Sequence, residues 1–330
     1  MFLSPLCLFL SHHSLALTLK KRFYSDLSLR NGIFPEYFLL LLVMGMVFAV
    51  SSCRKDPLPP SPEDPEIFGA CVTPGSPAGL DIVTFNAEGF PKNGSVSVMA
   101  LASFIKAMDA DVVALQEVAS KADFDRMIAQ MPGWSGEFYE IDNDQWNLAY
   151  VFKNSEITIS PNSSKLLFTG EFRAFPRPPF EIFVRHKPTN LEICLINLHL
   201  KCCGGDDNEK RRQEASVMLK EYLDQSRFDE NVVVLGDFND EIASDSPSQN
   251  PFLNFITDAA GYHFADMEIA RGSALWWSYP SYPSHIDHIL VSDELVPVID
   301  TTYVVKVSPC YPDYNNNLSD HRPVFLRIKK

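Results

Sequence analysis

The chain has 330 residues, of which 46% are hydrophobic and 21% charged, proportions that exclude global disorder and allow a large packed core. Its formal net charge of −14 excludes a broad basic surface that holds a phosphate backbone without sequence preference. A nuclease stays compatible, because bound cations reverse the sign locally.

The first 52 residues differ from the rest. Lys20, Lys21, Arg22 and Arg30 precede an apolar run of fourteen residues, Tyr37 to Val50. A membrane-spanning helix needs about 20 residues, whereas a signal-peptide core needs roughly 7 to 15. The run ends in Val50-Ser51-Ser52-Cys53, similar to a bacterial lipobox, where small residues precede a cysteine that is acylated and starts the mature chain. An ordinary signal peptide with an incidental cysteine is the alternative. Residues 1–53 are read as an N-terminal extension and lipoprotein-type signal segment. Residues 54–75, opening with the proline-rich RKDPLPPSPEDP, are read as a semi-rigid tether. The expected location is the bacterial cell envelope, exported or membrane-held through lipidated Cys53, in the periplasm, outer membrane or cell surface. Setting Cys7 and Cys53 aside leaves Cys71, Cys194, Cys202, Cys203 and Cys310. That number is odd, with no CxxC pair and no zinc-type spacing, so the pairing is open.

Further along, apolar strand-like runs alternate with helical patterns. Strands are predicted at 80–86, 111–117, 147–153, 180–186, 191–200, 231–235, 286–291, 301–307 and 323–328, and helices at 95–108, 121–131 and 207–224. The runs at 147–153, 180–186 and 191–200 read as consecutive strands. The interleaving fits a mixed α/β domain over residues 76–330 rather than a pure parallel sheet.

Chemistry gathers at the strand ends. LDIVTFN ends in Asn86, followed by Glu88. DVVALQE ends in Gln116-Glu117, and LEICLINLHL carries Asn197 and His199. NVVVLGDFND runs into Asp237, Asn239 and Asp240. Asp287 opens IDHILVS, and Asp320-His321 precedes the last strand. Sites in layered α/β folds form at strand ends, and a hard divalent cation takes carboxylate and amide oxygens. No cysteine cluster or HExxH argues for zinc. Taken singly, GDFN reads as a turn, SDH as a capped loop and NLH as a strand with one polar face. The ordered set is what carries information.

That set resembles the endonuclease/exonuclease/phosphatase superfamily, the deoxyribonuclease I-like fold. The matching pieces are TFNAEGF at 84–90, ALQEV at 114–118, NLHLK at 197–201, GDFND at 236–240, IDHILVS at 286–292 and SDHRPV at 319–324. The match is specific to the superfamily and says little about the member. It implies a four-layer α/β/β/α sandwich that cleaves phosphate esters with Mg²⁺, or with Mn²⁺ or Ca²⁺. By position, Asn86, Glu117 and Asp320 would hold metal. Asp237 and Asn239 would position the attacking water and phosphate or bind a second ion. His321, oriented by Asp287, would act as general base or phosphate clamp. His199 would stand opposite as general acid or transition-state stabiliser. Arg177 in FPRPP would clamp phosphate; a solvated loop arginine is the alternative.

His288, next to Asp287, should face the other side of the strand and is read as structural. Lys201, Lys210, Arg211 and Arg212 read as a solvated helix start, and Trp276-Trp277 as core. Cys202-Cys203 reads as a vicinal disulfide or loop packing rather than catalysis. The resulting expectation is an exported Mg²⁺-dependent phosphodiesterase, monomeric, with nucleic acid as the leading substrate. The rival substrates are a sphingomyelinase-type lipid and an inositol or sugar phosphate. A non-catalytic binding protein on the same fold has no need of both histidines and the whole acidic shell.

Overall fold

The computed structural model describes residues 66–329 apart from 78, 141–145, 245 and 247–249. The signal segment, Cys53 and most of the tether lie outside the described residues.

Strand β1 (Gly79–Phe90) puts Leu80 and Ile82 in one apolar cluster and Val83 and Phe85 in another. In β2 (Val112–Val118), Val112 and Ala114 likewise part from Val113 and Leu115. Successive side chains on a strand face opposite ways, and both faces here are covered, so the strands read as unbroken apolar runs. The same holds for β8 (Leu191–His199): Ile193 and Leu195 go one way, Cys194, Ile196 and Leu198 the other.

Two sheets result. The first runs β12 (Ile299–Val304), β13 (Val324–Lys329), β1, β2, β4 (Asn147–Lys153), β3 (Trp134–Tyr139). The second runs β10 (Tyr262–Phe264), β11 (Asp287–Ser292), β9 (Val232–Asp237), β8, β7 (Phe180–His186), β5 (Ile157–Ile159), with the two-residue β6 (Lys165–Leu166) paired to β7. Leu80, Ile82 and Val112 of the first sheet share a cluster with Ile182, Leu195 and Val233 of the second. On the outer faces lie α2 (Gly94–Met108), through Leu101, Phe104 and Ile105, and α4 (Asp206–Ser226), through Ala215, Leu219 and Leu223. Between them in sequence is α3 (Lys121–Ala129), and at the start lies α1 (Glu66–Gly69). The architecture is the expected four-layer α/β/β/α sandwich.

The topology corrects three expectations. The strand at 147–153 is not beside the one at 180–186: β4 pairs with β2 and β3, while β7 pairs with β8 in the other sheet. Sequence neighbours therefore part between layers. Strand β3 is an addition to the predicted set, because WSGEFY carries no alternation. Its Gly136 admits the Phe124 ring of α3, where a Cβ would stand 2.5 Å away. Residues 66–75, assigned to the tether, are partly folded. Phe68 is fully buried against Phe104 and Tyr311, worth about 1.5–3 kcal/mol for a side chain of that size. Cys71 is bonded to Cys310 across 239 residues. Closing so long a loop removes on the order of 5–6 kcal/mol of unfolded-chain entropy in the chain-entropy account.

Two βαβ units supply the strand ends that carry the polar motifs. β1–α2–β2 and β8–α4–β9 are each a parallel pair, one per sheet, and the C-terminal ends of all four strands open onto the same edge.

Candidate active site

Register places the site. His199 is level with Asp237 across β8–β9, and Asp237 with Asp287 across β9–β11. Gly236 allows this: its φ is +150°, and a Cβ there would lie 2.0 Å from the Leu198 carbonyl oxygen. In the first sheet Asn86 is level with Gln116. Asn86 reaches across the sheets, its Nδ2 donating to Glu117 Oε1 at 3.1 Å and to Asp237 Oδ2 at 2.9 Å. Deeper in, Gln116 Nε2 donates to Asn197 Oδ1 at 2.7 Å, and Asn197 Nδ2 donates to the carbonyls of Leu115 and Ala149. Leaving a buried amide unpaired costs about 1–3 kcal/mol, so this ladder fixes one sheet against the other beneath the site.

The SDH turn is tied to the same floor. Ser319 Oγ donates to the Asn86 carbonyl at 2.7 Å and accepts the His321 N–H at 2.9 Å. The Tyr314 hydroxyl donates to the His321 carbonyl at 2.7 Å, and the Tyr279 ring lies 4.7 Å from the His321 ring. Held this way, His321 Nδ1 donates to Asp287 Oδ2 at 2.8 Å. Burial alone pulls the His321 imidazolium down, but Asp287, then Asp237 and Asp320, push it up to about 10.

His199 is the opposite case. Burial, then the charges of Arg177 and His321, hold it well below the ordinary histidine range. Its Nε2 stands 3.7 Å from Glu117 Oε1 and 3.6 Å from Asp237 Oδ2. Burial raises the Glu117 carboxyl, and Glu117 sits at φ +58°, a strained region for a residue with a side chain. Asp237 is pushed up to about 7, by burial first and by Asp287 next.

Glu117, His199 and Asp237 each offer an atom within 4.8 Å of the others. Among the described residues, His199 Nδ1, Asp287 Oδ1 and Asp320 Oδ1 are buried here with no hydrogen-bond partner. Crowded carboxylates with unmatched lone pairs form an oxygen-rich donor set that fits a hard divalent cation. A cleft of about 460 Å³ opens above them, lined among others by Glu117, His199, Asp237, Asn239, Asp320 and His321.

The structure thus brings eight of the nine predicted site residues to the cleft or its floor: Glu117, His199, Asp237, Asn239, Asp320 and His321 around it, Asp287 behind His321, and Asn86 beneath Glu117 and Asp237. Asn86 lies at the floor beneath them: its Oδ1 accepts the Glu88 N–H at 2.9 Å and its Nδ2 faces the carboxylates. It separates two acids by donating to both. The charge of Arg177 acts on Glu117 and His199. Glu88, a strand-end residue with no predicted role, lines the cleft and accepts the Asp320 N–H at 2.7 Å.

Other expectations change. Arg212 is 2% exposed and pairs with Asp240 at 2.8 Å, and Arg211 donates to the Arg173 carbonyl; they brace loops and are not a solvated helix start. Trp276 is 54% exposed, with Lys306 Nζ 4.3 Å from its ring, so it is not core. His288 faces away from the cleft into a second buried cluster. Its Nδ1 lies 2.6 Å from Asp266 Oδ2 and its Nε2 3.0 Å from the Asp240 carbonyl. His285 Nε2 lies 3.0 Å from the same Asp266 oxygen. Asp266 and His285 give no sequence signal, being loop residues outside any periodic run.

Known proteins share this arrangement of strands and motifs. A sequence profile described as the Endonuclease/Exonuclease/phosphatase family matches residues 83–321. No curated protein matches in sequence. Among solved structures, Danio rerio TDP2 in complex with single-strand DNA product superposes with a TM-score of 0.59 at 14% identity, covering 77% of this chain and all of that one. An endonuclease/exonuclease/phosphatase from Bacteroides vulgatus gives 0.57 at 16%, covering 76% and 98%. The Bacteroides thetaiotaomicron mannosyl-6-phosphatase gives 0.54 at 17%, covering 75% and 98%. At these identities the likeness is one of fold.

Proposed function

This chain belongs to the endonuclease/exonuclease/phosphatase family, whose members are divalent-metal-dependent phosphoester hydrolases, and from that premise we propose that it is an exported Mg²⁺-dependent phosphodiesterase. One observation carries this reading: the Glu117–His199–Asp237 cluster and the Asp287–His321 pair meet at the floor of one cleft.

Glu117 and Asp320, with Asp237 beside them, are the residues that would hold a cation, which supplies charge neutralisation on the phosphate. Asp237, beside Glu117 and His199 at the floor of the cleft, would take a proton from the attacking water. Asn239 is held beside it by its own N–H, which donates to Asp237 Oδ1 at 2.9 Å. His321, kept cationic by Asp287, donates to a phosphate oxygen as clamp. His199, kept neutral by burial, stands across the cleft to hydrogen-bond the phosphoryl group as negative charge develops. Arg177 adds positive charge on that side.

Nucleic acid is the leading substrate class. A second reading, a small phosphate ester such as a sugar phosphate, is favoured by the net charge of −14 and by the internal use of Arg173, Arg211 and Arg212. Export with lipid anchoring at Cys53 is supported by the lipobox-like sequence and by the Cys71–Cys310 disulfide, a bond that persists in oxidising compartments. Mass spectrometry of the mature amino terminus in wild type and Cys53→Ser tests the anchor. The activity test is a panel of plasmid DNA, RNA, sphingomyelin, inositol phosphates, mannose 6-phosphate and a bis-aryl phosphodiester, with and without EDTA. Hydrolysis that stops in EDTA and returns with Mg²⁺ is the expected result; full turnover in excess EDTA contradicts it.

A further inference from the structure

Cys202 and Cys203 follow His199 by three and four residues and line the same cleft as Glu117, His199 and His321. Their sulfurs stand 2.8 Å apart, less than an ångström beyond the about 2.05 Å of a disulfide bond. Cys202 is half-buried and Cys203 exposed, so a reagent can reach the pair. Lys201 Nζ lies 3.6 Å from Cys202 Sγ. Cys203 sits at φ +76°, a conformation uncommon for a residue with a side chain.

The backbone around the pair is wired to the site. Arg212 Nη1 donates to the carbonyls of Lys201 at 2.8 Å and Cys203 at 3.0 Å. The same guanidinium, through Nε, binds Asp240 Oδ2 at 2.8 Å. Asp240 directly follows Asn239, and its own carbonyl meets His288 Nε2 at 3.0 Å. A change in the backbone between 201 and 203 is therefore passed through one rigid side chain to the loop that carries Asp237 and Asn239.

We propose that Cys202 and Cys203 are a modification site: in the mature protein they are joined as a vicinal disulfide that sets the shape of the cleft mouth and the affinity for the phosphate ester. The second half rests on the reading of the cleft as a phosphoesterase site. The Cys71–Cys310 bond in the same chain argues that the pair meets oxidising conditions, since disulfides persist where thiols are not kept reduced. Cys194, by contrast, is buried and keeps its thiol. The oxidant is an external disulfide, such as oxidised glutathione or the disulfide of an envelope oxidase. The Cys202 thiolate attacks one of its sulfurs, forming a mixed disulfide and releasing one thiolate. The Cys203 thiolate then attacks Cys202 sulfur and releases the other. The two cysteine protons pass to the two leaving thiolates, so one disulfide is consumed for the one made.

The tryptic peptide 202–210 contains both cysteines and no other, which makes the test direct. Mature protein isolated without reductant is denatured, alkylated with iodoacetamide and digested. The proposal expects this peptide unlabelled and two hydrogens lighter than its dithiol form. Separately, kcat and KM on the bis-aryl phosphodiester are measured before and after dithiothreitol, for wild type and for the double variant Cys202→Ser, Cys203→Ser. Reduction should shift the wild-type KM on the order of tenfold, about the effect of one misplaced hydrogen bond, with kcat held. The double variant should show no such shift, which separates this pair from the reduction of Cys71–Cys310. Two labels on peptide 202–210, or a wild-type KM indifferent to reduction, would overturn the proposal. The mass measurement needs no turnover, so a failed phosphoesterase reading and a failed disulfide are told apart.

Discussion

Two buried groups of histidine and carboxylate side chains start one residue apart on β11, and they are built to opposite ends. Asp287 faces the cleft and joins His321; His288 faces away and joins Asp266 and His285. Both sets have the spacing of metal ligands, so distance does not separate them. Saturation does. In the Asp266 group every polar atom is matched. Asp266 Oδ1 accepts the Ile289 N–H, Oδ2 meets both histidines, His285 Nδ1 accepts the Ser278 N–H, and His288 Nε2 donates to the Asp240 carbonyl. Phe238 and Phe264 close around His288. At the cleft, His199 Nδ1, Asp287 Oδ1 and Asp320 Oδ1 are left over. Buried polar groups are normally paired, so unmatched ones gathered at a cleft mark the place where a ligand completes the set, and a fully matched group marks scaffold.

The contrast can be broken by substitution. The largest effect is expected at Asp237→Asn, which should lower kcat/KM by on the order of 10⁴, the upper range for a proton-transfer group. Its melting temperature should not fall, because an amide replaces a carboxyl whose charge burial already disfavours. A melt well below wild type would show that Asp237 serves the fold. Next, His321→Ala should cost roughly 10²–10³, and adding Asp287→Asn should cost little more, since groups acting as a unit are not additive. Fully multiplicative losses in the double variant would place Asp287 outside the pair. On the scaffold side, His288→Asn should leave kcat within about tenfold but cost about 3 kcal/mol in urea unfolding, the cost of taking one partner from a buried pair.

The smallest effect is in the pH dependence of that stability. Burial would lower His288, but Asp266 raises it; burial would raise Asp266, but His288 and His285 hold it well below the carboxylate range. A raised histidine stabilises fully below its unfolded value of about 6.5 and loses the contribution as pH rises through its folded value. A depressed carboxylate stabilises above its unfolded value of about 3.9 and loses the contribution as pH falls through its folded value. The wild-type advantage over His288→Asn should therefore be greatest between about pH 4 and 6.5 and shrink on the alkaline side. An advantage that grows with pH would reverse the assigned charges.

The strand ends make much of this legible in the amino-acid sequence. Asp237, Asp287 and His199 stand out because polar residues interrupt apolar runs where a strand should simply turn, and the two-residue period separates Asp287 from His288 on sight. Saturation is not legible. It depends on Asp266 and His285, which reach His288 from loops, and on Ser278, whose N–H faces His285. Nor does the sequence show that β4 and β7 lie in different sheets, because each run has an apolar face, Leu148, Tyr150 and Phe152 or Phe180, Ile182 and Val184, that fits either side of the shared core. The link that Asn86 makes between the sheets is not legible either: its Nδ2 donates to Glu117 and to Asp237, which the sequence places 120 residues apart. Trp276 reads as core by composition, yet it sits on an exposed 3₁₀ turn under Lys306.

The most direct test compares the two histidines themselves. His321→Asn and His288→Asn are assayed on the bis-aryl phosphodiester with Mg²⁺, at a temperature where circular dichroism shows both folded. The account predicts that His321→Asn loses at least about 10² in kcat/KM while His288→Asn stays within about tenfold of wild type. Equal losses in two folded variants would contradict it, and would mean that the saturated cluster, not the cleft, carries the chemistry.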